Sequence, residues 1–118
     1  MKLRRDEEAI ASYGKALSYQ PGFPVAWYYR ASILFVIGRF EEAVANCDQA
    51  LHYQTDYAQA WWLRSSALTG LGRYEEAIAS YDQALKYQPD YPEAWSGRGH
   101  ALAALNRLEE AIVSYDRG

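Results

Sequence analysis

The segments RRDEEAIASYGKAL, GRFEEAVANCDQAL, GRYEEAIASYDQAL and NRLEEAIVSYDRG carry their first alanines at Ala9, Ala43, Ala77 and Ala111, a constant step of 34 residues. No other feature constrains the fold as tightly. Self-similarity at this period describes an array in which one supersecondary unit stacks on copies of itself, each covering the apolar face of the next. With 118 residues the chain falls within the size of one domain, and the array accounts for essentially all of it.

Each unit holds two helical segments. The first is rich in large aromatics: PVAWYYRASILFVIG, AQAWWLRSSALTGLG and PEAWSGRGHALAALN. The second is the quoted motif. In YEEAIASYDQALKY, the residues Tyr74, Ala77, Ile78, Tyr81, Ala84 and Leu85 step by three and four, which lays one apolar stripe along a helix. No segment alternates as a strand would. The boundaries agree. Pro24 and Pro92 suit the first turn of a helix, where a missing N–H is not needed, and Asp56 and Asp90 are placed to accept from free backbone N–H groups. Gly38, Gly72 and Asn106 mark the ends of the first segments, where the chain commonly turns left-handed. The pairs Glu41–Glu42, Glu75–Glu76 and Glu109–Glu110 follow closely and suit the positive end of the second helix. Pro21 and Pro89 close two units, and Thr55 takes that place in the other.

These features resemble the tetratricopeptide repeat family. The matching residues are Trp27, Trp61 and Trp95; the small residues Ala31, Ser65 and Gly99; the four alanines above; Ala16, Ala50 and Ala84; Tyr13, Tyr81 and Tyr115; and Pro21 and Pro89. The resemblance implies an all-α fold: a right-handed superhelical array of antiparallel helix pairs (an α-solenoid) with seven helices. Residues 1–23 supply the second helix of a preceding repeat, 24–57 and 58–91 are complete repeats, and 92–118 form a nearly complete one. One departure is consistent, since Arg30, Arg64 and Arg98 stand where the family usually has leucine. Each is followed 18 residues later by Asp48, Asp82 and Asp116, so two readings compete: an ion pair between the two helices of one repeat, or an exposed arginine with no fixed partner.

Several function classes are disfavoured. A formal net charge of −3 without a run of lysine and arginine argues against nucleic acid. The longest apolar run, ASILFVI, is too short to span a bilayer, and MKLRRDEEAI has no apolar core that would make it a secretory signal. A cytoplasmic protein is the expectation. Cys47 stands where other copies have tyrosine and reads as a small core filler rather than a reactive thiol. His52 and His100 lack partners at ligand-like spacing, and the paired carboxylates recur in every copy, as helix-start residues do and a single catalytic pair does not. No phosphate loop or nucleophile motif is present, so no enzyme and no cofactor are implied.

In the family, the inner groove is lined by the first helix of each repeat and receives a peptide or helix of another protein. The resemblance maps that lining onto Val25, Tyr28, Ser32 and Phe35, then Gln59, Trp62, Ser66 and Thr69, then Glu93, Ser96 and His100. Tyr28 and Trp62 are the expected anchors, with Tyr29 and Trp61 turned towards packing; the competing reading places Trp62 between repeats. Members that clamp the terminal carboxylate of chaperone tails use lysine, asparagine and arginine. The corresponding places here hold Tyr28, Ser32, Leu63, Trp62 and Ser66, which disfavours a clamp. The ends form a second candidate surface: Ile10, Tyr13 and Leu17 at one, Leu108, Ile112 and Tyr115 at the other. Their apolar character fits either a segment of a longer array or self-association through the terminal helices, as a homo-oligomer.

Overall fold

The computed structural model describes residues 2–118, with side chains from Arg4 onward. Its seven helices are α1 (Lys2–Tyr19), α2 (Pro24–Val36), α3 (Phe40–Tyr53), α4 (Ala58–Gly70), α5 (Tyr74–Tyr87), α6 (Pro92–Ala104) and α7 (Leu108–Arg117), and no strand occurs among the described residues. None of the helices is long and apolar enough to cross a membrane. Each helix packs on its neighbours in sequence. In addition α2 meets α4 and α4 meets α6, whereas α1, α3, α5 and α7 do not meet one another. Three helices crowded into one layer against four splayed in the other bend the stack, and α2, α4 and α6 line its concave side. The array measures 46 × 29 × 19 Å. Its radius of gyration, 14.7 Å, exceeds the roughly 13–14 Å expected of a round domain this long.

The core repeats with the sequence. Leu34, Leu68 and Leu102 are fully buried at the 34-residue interval, each beside an alanine of the motif (Ala43, Ala77 or Ala111) that lets the paired helices approach closely. Burying one such leucine contributes about 1.5–3 kcal/mol. The expected left-handed turns are present: φ is +86° at Gly38, +75° at Gly72 and +63° at Asn106. Each lets the following residue close back on the helix, as Arg39 N–H does to Leu34 C=O at 2.8 Å.

Two boundary expectations fail. Asp56 and Asp90 cap nothing, because α4 and α6 start one residue later than a capping aspartate requires; Tyr57 and Tyr91 hold the N-cap positions without a side-chain bond. The acidic pairs do lie in the first turns of α3, α5 and α7. In the first copy they lie mid-helix, since α1 begins at Lys2, and there Glu7 instead accepts from Arg39 of the next pair at 3.0 Å. At each of the other starts the N-cap arginine forks onto the glutamate three residues on, with Arg73 Nε and Nη2 reaching Glu76 at 2.8 and 2.7 Å, and Arg39–Glu42 and Arg107–Glu110 repeating the bond. These contacts hold Glu42, Glu76 and Glu110 below the usual carboxylate range.

The arginines that replace leucine are part-buried, and none forms an ion pair with the aspartate 18 residues later. Arg64 Nε donates to Asp48, on the helix before it, at 2.7 Å, while its Nη1 donates to Ser80, on the helix after it, at 2.5 Å. Arg98 does the same with Asp82 and Ser114. The guanidinium is thus a bolt through three successive helices, and the expected Arg64–Asp82 and Arg98–Asp116 pairs do not form. Arg30 is the exception. The place equivalent to Asp48 is Gly14, so Arg30 Nε turns to the backbone carbonyl of Ile10 at 3.3 Å, and Nη1 to Asn46 at 3.1 Å. The bolts also account for Asn46, Ser80 and Ser114, three of the four buried polar residues among those described; the fourth, Ser65, donates to Trp61 C=O.

Candidate functional site: the concave groove

The groove is set by the first half of each inner helix. Trp27, Trp61 and Trp95 each donate an indole N–H to a carbonyl six residues earlier, on Pro21, Thr55 and Pro89, at 2.7–2.9 Å. That bond latches the loop between repeats to the helix and fixes the residue after the tryptophan. These next residues are Tyr28, Trp62 and Ser96. Tyr28 lies against the ring of Tyr57 (centroids 5.1 Å apart), and Trp62 against Tyr91 (6.2 Å). Phe23, Tyr57 and Tyr91 form an aromatic series at the repeat interval whose partners sequence reasoning did not identify. Burial pushes the Tyr57 phenol up to about 12 and raises those of Tyr28 and Tyr91.

Next to Ser96 the pattern breaks twice. Ser96 replaces the aromatic residue, and Gly97 stands where the other repeats have Tyr29 and Leu63. The result is a hollow of about 550 Å³ lined by Trp62, Ser66, Tyr81, Pro92, Glu93, Ser96, Gly97 and Gly118. Gly97 is required by Tyr81, whose Cε1 would lie 2.8 Å from a Cβ built there. The equivalent junction solves the same packing problem the other way, with small Cys47 against large Leu63 in one buried cluster with Ala31. Burial raises the Cys47 thiol well above its ordinary value, which suits a filler and not a nucleophile.

Of the expected lining residues, Trp62, Ser66, Glu93 and Ser96 meet in the hollow. Tyr28, Ser32, Phe35, Gln59 and His100 lie outside it. Tyr28 and Phe35 are half-buried and pack on the core, Phe35 against Phe40 at 5.5 Å, while Gln59 and His100 are exposed. Trp62 packs on the core with one side and also lines the hollow. Ser32 and Ser66 donate their hydroxyl protons to Tyr28 C=O and Trp62 C=O, so towards a ligand they act as acceptors. Trp61 is turned to packing as expected, but Tyr29 is half exposed. Tyr81, Pro92 and Gly97 were missed; the size break Tyr29, Leu63, Gly97 was the signal in the sequence. At the ends, Ile10 and Leu17 are buried against α2 rather than uncovered, whereas Leu108, Ile112 and Tyr115 are exposed. Among the described residues no three His, Cys, Asp or Glu side chains converge as a metal site.

The repeat unit, the latching tryptophans and the inner layer of first helices define a family. One sequence profile, described as a TPR repeat, matches residues 66–106, and another, described as a tetratricopeptide repeat, matches 1–56 and 38–82. The chain belongs to the tetratricopeptide repeat family. Arrays of this family are protein–protein interaction scaffolds. No curated protein matches the chain in sequence. Among solved structures, the crystal structure of MamA superposes with a TM-score of 0.92 at 22% identity, over 99% of this chain and 68% of that one. Other MamA chains are spanned to 61% and 65% of their length, and at such identities the likeness concerns the fold. The first TPR of Spaghetti (RPAP3), bound to the HSP90 peptide SRMEEVD, is 30% identical with a TM-score of 0.84, over 89% of this chain and 83% of that one. The first TPR domain of human RPAP3, in solution, is also 30% identical with a TM-score of 0.84, over 92% and 85%.

Proposed function

We propose that the chain is a non-enzymatic scaffold whose groove receives a peptide or helical segment of another protein, anchored by one aromatic or large aliphatic side chain in the hollow beside Trp62. The observation that carries this reading is the break at Ser96–Gly97. Two repeats fill the place with their own rings, Tyr28 on Tyr57 and Trp62 on Tyr91, and the third leaves it open. A ligand side chain there continues the row of rings on a rigid, half-buried platform, the setting in which interface anchors concentrate. Tyr28, Ser32, Phe35, Gln59 and His100 then contact the flanks of the segment, and Ser66 accepts a hydrogen bond from it.

The peptide on the RPAP3-type array is acidic, and this groove does not suit such a ligand. The residues around the hollow include Glu93 and no lysine or arginine, so an acidic tail would meet like charge. Selection from a displayed peptide library tests the proposal. Enriched sequences should share one aromatic or large aliphatic residue. Ser96→Trp, which plugs the hollow, should remove their binding, and Trp62→Ala should weaken it at least tenfold. Sequences that bind Ser96→Trp as well as the wild type, or a consensus of acidic C-termini, would show that the hollow is not the anchor site.

A further inference from the structure

The floor of the hollow holds a polar group that the chain leaves unpaired. Tyr81 is only 3% exposed, yet it lines the hollow, and its hydroxyl makes no hydrogen bond to any described residue. No fully buried side-chain nitrogen or oxygen among the described residues lacks a partner, so this oxygen keeps contact with the open space. Gly97 is what leaves it open, since the first atom that a Cβ at Gly97 would meet is Tyr81 Oη. The preceding junction has Cys47 against Leu63 and presents no hydroxyl. Facing solvent, the phenol can bond to water. Sealed beneath an apolar group it loses that bond without replacement, which disfavours a purely apolar occupant.

The other polar groups of the hollow are acceptors. Ser66 has its proton committed to Trp62 C=O at 3.1 Å, so its free side accepts. The Glu93 carboxylate can only accept; it is exposed and forms no ion pair among the described residues, and no lysine or arginine lines the hollow. Trp62 and Pro92 supply apolar walls suited to a flat ring. These groups lie on α4, α5 and α6, within the array. The hollow is thus an apolar-walled slot with a hydroxyl at its floor and a carboxylate at its mouth.

We propose, resting on the peptide-binding reading of the groove, that the anchor is a tyrosine or tryptophan whose O–H or N–H reaches the Tyr81 hydroxyl, and that a lysine or arginine beside it in the ligand pairs with Glu93. The aromatic body continues the ring pairs that Tyr28 makes with Tyr57 and Trp62 with Tyr91. Phenylalanine or leucine fills the slot but strands the hydroxyl. A site that bonds a polar tip rejects the analogue lacking it more strongly than an apolar pocket rejects a change of size. The basic neighbour adds little affinity at an exposed carboxylate and acts as a choice between charge signs.

Labelled peptides selected on the wild type from a displayed library test the proposal. Each is synthesised with its own anchor and with an isostere lacking the donor, phenylalanine for tyrosine or naphthylalanine for tryptophan. Fluorescence anisotropy then compares the wild type with Tyr81→Phe and Ser96→Trp. Removing the donor should weaken binding to the wild type about tenfold or more, and change binding to Tyr81→Phe by less than about twofold. Selection on Glu93→Lys should exchange the basic neighbour for an acidic one. Tyr81→Phe keeps the buried ring and Glu93 is exposed, so both variants should unfold at the wild-type urea midpoint. Enrichment of phenylalanine or leucine anchors on the wild type, a donor preference that persists in Tyr81→Phe, or an unchanged neighbour on Glu93→Lys would each overturn the proposal. If Ser96→Trp still abolished binding in those cases, the groove reading would stand without it. Peptides that bind Ser96→Trp undiminished would overturn both.

Discussion

The junction between α5 and α6 permits a quantitative test of how the repeats tolerate sequence change. Replacing Gly97 by leucine puts four carbons where the first already comes within 2.8 Å of Tyr81 Cε1, well inside an ordinary carbon–carbon contact of about 3.5–4.0 Å. Tyr81 is 3% exposed and cannot yield without uncovering core. Overpacking of this kind costs about 3 kcal/mol, of which the better helix propensity of leucine returns about 1 kcal/mol, leaving a net loss near 2 kcal/mol. Tyr81→Cys alone opens a hole in the same place and should lose about 2–4 kcal/mol. If the two acted independently, the double variant would lose about 4–6 kcal/mol, much of the stability of a domain this size.

The double variant should instead lose less than about 1.5 kcal/mol, because a new cysteine facing a new leucine would reproduce the Cys47–Leu63 junction, where cysteine is fully buried and leucine 2% exposed. The expected coupling is therefore at least about 2 kcal/mol in the restoring direction. Urea unfolding of the four proteins, followed by circular dichroism and by intrinsic fluorescence, measures it. Agreement of the two probes licenses the two-state analysis. Losses that add to within about 0.5 kcal/mol would refute the claim that the junctions are interchangeable size-matched pairs.

The arginine bolts predict a second coupling. A cycle on Arg64→Ala and Asp48→Ala should show about 0.5–1 kcal/mol of interaction, and the corresponding cycle on Arg64 and Asp82 close to none; the reverse order would restore the within-repeat pairing. Alkaline pH reports on the buried phenols. With the Tyr57 phenol raised from 10.0 to about 12, its neutral form is favoured in the fold, so its contribution is whole below pH 10 and is lost as pH rises towards 12. In ultraviolet titration a fraction of the 11 tyrosines should ionise late in the native chain and with the rest in urea; Tyr57→Phe should shrink that late fraction, and an unchanged late fraction would count against the assignment.

The period made the helices, their order and the left-handed turns at Gly38, Gly72 and Asn106 legible, because each depends on local backbone preference repeated in phase. The arginine partner was not legible for a specific reason. Asp48 and Asp82 both recur at the same interval, so a spacing forward to Asp82 and one backward to Asp48 fit the sequence equally, and only the placement of α4 between α3 and α5 separates them. The capping role assigned to Asp56 and Asp90 failed by a single residue, the usual uncertainty of a helix start. In the groove, the place of Trp62 on the wall of the hollow could be read from its repeat position. The hollow could not, since it is formed by what Ser96 and Gly97 omit and by Tyr81 arriving from another helix.

A repeated frame separates structure from function in a way that a single-copy fold does not. Any feature present at every interval, such as the indole latch or the Arg–Glu fork at a helix start, is explained by stacking and needs no ligand. Information specific to this array therefore lies where one copy departs from the others. A departure compensated within the chain, as Cys47 is by Leu63, is again structural. Ser96–Gly97 leaves a hollow that nothing in the chain fills, and Gly14 leaves Arg30 without the carboxylate that both later arginines have. The arginine still finds partners within the chain, in Ile10 C=O and Asn46, so the uncompensated departure is the hollow, the place where the proposed ligand would contribute the side chain that the frame lacks.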